Sequence, residues 1–191
     1  EVYDSNKDYP NARTQFDLAA SADPEGPLWG AATFFAGKAA SLSMTEKGLD
    51  DAVAIWGRLI KKGGPLASEA RRHTAMVRLR QDQPADAVRV LEDLLESESE
   101  LSEDLRLASL LNLGEAYVRQ SEMDFAQQQR KLVKAIATFD KVLLSRKSRR
   151  VWKNEAAVRK GDCLERISAT DDALVEYYDV VNRSPNDRLR D

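Results

Sequence analysis

The sequence has little cysteine, histidine, proline and glycine, and each shortage narrows the range of folds and functions. With one cysteine, Cys163, the chain cannot form an internal disulfide, and with one histidine, His73, it lacks the His/Cys clusters of zinc sites. Six prolines and nine glycines among 191 residues allow long, uninterrupted helices. No apolar run approaches the ~20 residues that a membrane-spanning helix needs. The formal net charge of −3 gives no general attraction to nucleic acids or anionic membranes.

Motifs for catalysis are missing as well. The sequence contains no phosphate-binding Gly-Lys-Ser/Thr loop, nucleophile elbow or zinc-protease motif, and Gly63–Pro65 predicts a turn. The acidic pairs Asp50–Asp51 and Asp171–Asp172 are predicted to lie at helix starts, where carboxylates cap the helix and oppose its dipole. Cys163 falls at a small-residue packing position, which favours a buried thiol over a nucleophile. We therefore expect a non-catalytic protein with no metal and no cofactor.

The sequence contains five similar copies of one amphipathic helix. Each copy has an alanine followed four positions later by a large apolar residue, and further apolar residues follow a turn or more on. Because residues three and four apart share a helix face, each copy buries one stripe and exposes the rest. The five copies are Ala12/Phe16, Ala52/Trp56, Ala87/Leu91, Ala135/Phe139 and Ala173/Tyr177. The intervening segments 28–42, 66–80, 105–119 and 150–166 predict a second helix in each period.

These helices resemble a known repeat family. The stretch Leu110-x-x-Leu113-Gly114-x-x-Tyr117, followed by Ala135-x-x-x-Phe139, is similar to the tetratricopeptide repeat (TPR), a helix–turn–helix of ~34 residues. Three further pairs keep the family's spacing of twelve residues: Gly161 before Ala173, Ala75 before Ala87, and Pro185 after Ala173. The resemblance implies an all-α, right-handed α-α superhelix, a TPR-like solenoid in which each copy covers its neighbour's apolar face.

The resemblance also implies how the chain is organised. Residues 1–191 are expected to form a single TPR-like repeat domain of one extra N-terminal helix and about four helix pairs. The units are 9–22 for the lone helix, then 27–64, 65–100, 102–147 and 149–185. The insertion 120–131, QSEMDFAQQQRK, predicts either a longer helical hairpin or a separate contact site. Because both ends of such an array lack a polar capping helix, we expect a fragment of a longer protein, or self-association that covers these ends.

The function implied by the resemblance is a protein–protein interaction scaffold. A peptide or partner helix would lie on the concave face, which the first helix of each pair lines. The family's groove-lining positions transfer to Phe34, Lys38, Arg72, Met76, Leu111, Glu115, Arg119, Val158, Asp162 and Arg166. Acidic residues stand where one subclass of the family binds C-terminal carboxylates, so that function is not expected. The long periods also resemble TPR-like accessory proteins and lipoproteins of bacterial envelope assembly, although the sequence leaves the compartment open.

Nucleic-acid contact is the alternative, through the basic segment 146–160, RKSRRVWKNEAAVRK. This segment holds seven basic residues and one acid, and basic side chains neutralise phosphates while an aromatic ring can stack on a base. The candidate contacts are Arg146, Lys147, Arg149, Arg150, Trp152 and Lys153. The net negative charge of the chain argues against a dedicated nucleic-acid protein and favours a solvated turn. The acidic segment 92–104, with seven acids, suggests a further hypothesis, in which the two segments attract each other between copies.

Overall fold

The computed structural model describes residues 8–97 and 101–183, with no account of the side chain of Arg183. Over these ranges the chain forms α-helices joined by short turns, with one 3₁₀ turn at Phe125–Gln127. The helices are α1 Tyr9–Ala22, α2 Trp29–Leu42, α3 Glu46–Lys62, α4 Ala67–Arg80, α5 Pro84–Ser97, α6 Glu103–Met123, α7 Gln128–Leu144, α8 Arg150–Arg166 and α9 Thr170–Arg183. The predicted all-α helical repeat is confirmed.

The chain is divided into two compact units, Glu1–Asp86 and Ala87–Asp191, a division that the repeat pattern did not predict. In the first unit α1 packs on α2, α2 on α3, and α3 on α4. In the second unit the same order of packing links α6 to α7, α7 to α8, and α8 to α9. Among α1 to α4, and among α6 to α9, consecutive helices are therefore neighbours in space, as the packing of a helical repeat requires.

Small residues on the first helix of a pair allow an aromatic ring of the second helix to approach closely. A Cβ atom added to Gly37 would overlap the Trp56 indole, and one added to Gly114 would overlap the Phe139 ring. Both rings are fully buried. The last pair repeats the arrangement, because a Cβ on Gly161 would overlap the ring of Tyr177. Glycine is therefore required at these positions by close packing and not by backbone conformation.

Side chains cap the starts of α1, α3 and α6, but not always those expected. Thr45 is the N-cap of α3, where its hydroxyl accepts a hydrogen bond of 3.0 Å from the Gly48 amide. The prediction that Asp50–Asp51 stand at this start is wrong, since both lie inside α3, where Asp51 binds Arg13 at 2.6 Å. Asp171–Asp172 do lie in the first turn of α9, as expected. The prediction failed because Thr45 caps the helix, so that α3 begins more than a turn before Asp50.

The insertion lengthens the third helix pair. It extends α6 to 21 residues, compared with 14 in α2, and continues through the 3₁₀ turn into α7. Met123 and Phe125 lie at this end of the hairpin and are both exposed. The structure thus contains the longer hairpin and leaves apolar side chains on its tip.

The close contact of Gly37 with Trp56 predicts a specific stability difference. We expect Gly37→Ala to lower the free energy of unfolding by about 1–3 kcal/mol, because the added methyl forces the buried indole to move. Gly57→Ala is the matched control in the same unit, since a Cβ there meets nothing within 4 Å. The control should raise stability by ~0.5–1 kcal/mol through the helix preference of alanine. Urea unfolding followed by tryptophan fluorescence measures both, and equal effects would contradict the packing argument.

Candidate functional site

The predicted groove residues of the first unit are mostly covered. Phe34 is only 6% exposed, and its ring lies 5.3 Å from the ring of His73 on α4 and 6.3 Å from that of Trp56 on α3. Its carbonyl accepts a 3.1 Å hydrogen bond from the Trp56 indole N–H. Phe34 is therefore a core residue, since α4 covers the position that the resemblance assigned to an open groove. Lys38, one turn further along α2, is exposed.

A cluster of charged side chains occupies the same region of α4. Arg72 donates a 2.6 Å hydrogen bond to Glu69 and lies 3.4 Å from the Met76 sulfur. The Nε2 atom of His73 lies 3.3 Å from the same Glu69 oxygen. Hydrogen bonding to His73, then to Arg72, lowers the pKa of Glu69 to about 2, although burial opposes this. Arg72 and Met76 are thus half-buried and engaged within α4, so this part of the predicted groove offers little free surface.

In the second unit the first helices of two successive pairs, α6 and α8, are in contact. Leu111 is 7% exposed and lies in the core, whereas Val158 is 40% exposed. The other predicted residues on these helices lie partly or fully at the surface: Glu115, Arg119, Asp162 and Arg166. The second unit therefore brings together most of the groove residues that the sequence predicted for it.

Hydrogen bonds and ion pairs between α6 and α8 fix the positions of these side chains. Arg159 pairs with Glu115, which also accepts a 3.2 Å hydrogen bond from Arg119. Arg166 donates a 3.0 Å hydrogen bond to the Ser121 hydroxyl and pairs with Glu122 at 3.3 Å. Because the contacts between the two helices span 44 or 45 positions along the chain, the sequence alone did not predict them.

A small cavity of about 60 Å³ lies among the same side chains. It is lined by Glu115, Val118, Arg159, Asp162, Cys163 and Arg166. Burial raises the pKa of the Cys163 thiol to about 11, so the thiol is protonated at neutral pH and is a poor nucleophile. The exposed edge of Asp162 accepts a 2.7 Å hydrogen bond from the Tyr177 hydroxyl of α9. We call Glu115, Val118, Arg119, Val158, Arg159, Asp162 and Arg166 the α6–α8 face.

Comparisons with known proteins indicate which repeat family the chain resembles. Residues 74–149 match the family model of the tetratricopeptide repeat. The chain thus resembles the tetratricopeptide repeat family over these residues, as the sequence predicted. Among solved structures, it is similar to a Podosopora anserina protein described as a putative kinesin light chain with nearly identical TPR-like repeats, at 17% identity and a TM-score of 0.65, over 97% of this chain and 93% of that one. A single-residue variant of that protein matches with the same identity and TM-score, over 92% of its chain. No curated protein matches the sequence.

TPR repeats generally mediate protein–protein interaction, and the family is typically a non-catalytic scaffold. Among the described helices, none is both long and apolar enough to cross a membrane. The described part of the chain also holds no group of three or more His, Cys, Asp or Glu residues placed to bind a metal ion.

Two residues of the α6–α8 face were not among the predicted TPR groove positions. Arg159 was counted only as one charge of the basic segment, and Val118 was not considered. Val118 follows the TPR tyrosine position, Tyr117, by one residue, and Arg159 precedes Gly161 by two. The signal that could have found Arg159 is its register, because it lies next to Val158 and one turn before Asp162.

The basic segment is partly neutralised within the chain. Arg149 pairs with Asp104 at 2.6 Å and lies 5.4 Å from the centre of the half-buried Trp152 ring. The Arg149–Asp104 pair joins the basic and acidic segments inside one chain, and Ser145, directly before the basic segment, donates a 2.8 Å hydrogen bond to Glu103. Of the remaining candidates, Arg146, Lys147 and Arg150 are exposed and Lys153 is half-buried. The hypothesis that these segments attract each other between copies is weakened by this internal pairing.

Lys160, from the end of the same segment, joins three helices. Its ammonium lies 2.7 Å from Asp140 of α7 and 2.8 Å from Glu176 of α9. Burial acts against the charge of this side chain, but hydrogen bonds to the two carboxylates outweigh it and raise the pKa of Lys160. Lys160 is therefore a structural residue of the second unit.

An open groove of about 490 Å³ lies among α5, α6 and α7 and was not predicted. Leu95, Leu110 and Leu113 contribute its apolar surface. The Tyr117 hydroxyl donates a hydrogen bond to Glu92 at its edge, and burial together with this bond raises the pKa of Tyr117. The tyrosine is therefore protonated at neutral pH and contributes a polar but uncharged rim.

The lowered pKa of Glu69 predicts a dependence of stability on pH. Since this pKa falls from its usual 4.5 to about 2 on folding, the stabilisation is complete above pH 4.5 and is lost as the pH falls toward 2. We expect Glu69→Gln to be less stable than the wild type at pH 7 and equally stable near pH 2. Glu25→Gln, at a side chain that is largely exposed, is the control. Urea unfolding of the first unit between pH 2 and 7 measures the difference, and parallel pH profiles would contradict the assignment.

Proposed function

We propose that this chain is a non-catalytic scaffold that binds a peptide or a helix of a partner protein on the α6–α8 face. The observation that carries the proposal is the cross-helix pairing of Arg159 with Glu115 and of Arg166 with Ser121. These bonds fix several long side chains before a partner arrives. Ordering such a side chain on binding costs ~0.5–1.5 kcal/mol, so a surface that is already ordered binds more tightly.

The chemistry of the face indicates the kind of segment that fits. Val118 and Val158 supply apolar surface, and Val118 lines the same cavity as Arg159 and Arg166. Arg119 adds a third guanidinium group on α6. A partner segment with an apolar anchor residue and neighbouring carboxylates or backbone carbonyls would match this arrangement. Aromatic or aliphatic anchors supported by arginine are typical of the residues that contribute most to protein–protein binding.

The non-catalytic part of the proposal is supported by the state of the reactive side chains. Cys163 is buried and protonated at neutral pH, and His73 is engaged with Glu69 and Arg72 in the other unit. The carboxylates of the face accept hydrogen bonds from Arg119 and Tyr177. The resemblance to TPR-like envelope-assembly proteins supports a search for partners in bacterial envelope complexes first.

The test compares capture of partners by the native chain and by a variant, with and without nuclease. Arg119→Glu/Arg166→Glu reverses two charges on the face, whereas Arg130→Glu/Lys141→Glu reverses two exposed charges of α7 and is the matched control. We expect the face variant to weaken the captured protein's affinity at least tenfold, or ~1.4 kcal/mol, when that protein is purified and titrated. The control should retain affinity within about twofold, a change worth ~0.4 kcal/mol.

Nucleic-acid binding is the other outcome of the same experiment. Capture that disappears with nuclease, ignores the face variant and is lost in Arg149→Glu/Arg150→Glu would move the function to the basic segment. Capture that the face variant and the control weaken equally would also contradict the proposal, because it would show a general effect of charge.

A further inference from the structure

The open groove among α5, α6 and α7, which we call the α5–α7 groove, has a long and mostly apolar floor. Four residues of α6 line it at intervals of four, three and four positions and therefore form one stripe along that helix: Arg106, Leu110, Leu113 and Tyr117. The last three of them are buried, and Leu95 of α5 adds a half-buried apolar side chain. At ~1.5 Å of rise per residue the stripe is about 16 Å long, or about three turns of helix. The groove is therefore suited in length to an elongated occupant.

The rim of the α5–α7 groove is charged, with acids from α5 and bases from α6 and α7. Glu92 and Glu96 are the acids, and Arg106 and Lys141 are the bases. Glu92 already accepts a hydrogen bond from a tyrosine hydroxyl, and Arg106 lies 3.7 Å from Glu103. Within the part of the chain that the structure describes, Glu96 and Lys141 are exposed and form no ion pair. One free charge of each sign is thus available to a partner, on two different helices.

These charges select among the possible occupants. A uniformly anionic occupant, such as a nucleic acid or an anionic bilayer, would meet the carboxylates of Glu92 and Glu96, and a uniformly basic segment would meet Arg106 and Lys141. A segment whose apolar side lies between a basic edge and an acidic edge meets both helices with opposite charge. A helix suits the floor, because its backbone donors and acceptors are already paired within itself.

We propose that the α5–α7 groove binds an amphipathic helix of a partner protein whose apolar side is bordered by basic residues on one edge and by acidic residues on the other. The basic edge lies against Glu96, and the acidic edge lies against Lys141. Docking of an amphipathic helix in an apolar groove is a recurring mode of recognition. The groove shares no lining residue with the α6–α8 face, so the two sites can be tested apart.

The probes are three helix-stabilised synthetic peptides with the same leucine stripe. The mixed peptide has lysines along one edge of the stripe and glutamates along the other, the doubly basic peptide has lysines along both edges, and the doubly acidic peptide has glutamates along both. Fluorescence anisotropy titrates each against the whole chain at low salt. We expect the mixed peptide to bind about five- to tenfold more tightly than either of the others, since it alone meets both helices with opposite charge. Equal affinity of the three peptides, or no saturable binding of the mixed one, would overturn the proposal.

Reversing one charge of the rim should change which peptide is preferred. Lys141→Glu should shift the preference at least about threefold toward the doubly basic peptide, and Glu96→Lys should shift it as far toward the doubly acidic one. Arg130→Glu and Asp93→Lys make the same changes of charge at exposed positions of the same two helices, outside the groove lining. These controls should leave the preference within about twofold, because salt screens exposed charges at a distance. A preference that Lys141→Glu and Glu96→Lys leave unchanged would overturn the proposal.

The combined variant separates a charge effect from structural damage. Glu96→Lys/Lys141→Glu exchanges the two signs, so it should recover the preference for the mixed peptide, whose helix can then lie in the opposite direction. A damaged fold would not give this recovery, and circular dichroism confirms that each variant retains its helix content. Failure of the combined variant to recover the preference would count against the proposal.

Two further results separate this inference from others. Arg119→Glu/Arg166→Glu should bind the mixed peptide as well as the wild type does, so that failure of the α6–α8 face leaves the α5–α7 groove unaffected. Sedimentation of the chain alone tests a second copy as the occupant. Concentration-dependent dimers that the mixed peptide dissociates would assign the groove to a helix of a second copy and overturn the assignment to a partner protein.

Discussion

The contact between a small residue on one helix and a ring on the next is the constraint on which the helix pairs depend. Trp56 over Gly37, Phe139 over Gly114 and Tyr177 over Gly161 are three versions of one contact, made by three different rings. In each pair the glycine leaves the space that the ring fills, as dense packing of protein interiors requires.

Because each pair buries one side internally, its other side is available to the pair that follows. Whether a following helix packs on that side determines which residues can contact a partner. Phe34 has α4 beside it and is a core residue, whereas Val158, three residues before its own glycine as Phe34 is before Gly37, remains 40% exposed. A position in the repeat therefore has no fixed role. Its role depends on whether another helix covers it, and the α6–α8 face is a consequence of that coverage.

The sequence predicted the helices and their pairing because local rules determine them. The alanine spacing placed the helices, and the predicted pairs α2–α3, α6–α7 and α8–α9 pack together through the same contact of a glycine with a ring. Burial of Phe34 and Leu111 was not predictable in this way, because it depends on neighbouring pairs. The bond between Arg159 and Glu115 was not predictable either, as long charged side chains select partners only once the helices lie side by side. Nor did the pattern reveal the division into two units.

Lys160 has a consequence for how the second unit loses its structure. Lys160 of α8 binds Asp140 of α7 and Glu176 of α9. Three consecutive helices from two repeats therefore meet at one ammonium group. Separating the α8–α9 pair from α7 would leave Asp140 without its cation and Lys160 with one carboxylate instead of two. In a linear array, stability is the sum of each repeat and its junctions, and a strong junction makes neighbours melt together. The final two pairs are therefore expected to unravel as one block instead of fraying from the end.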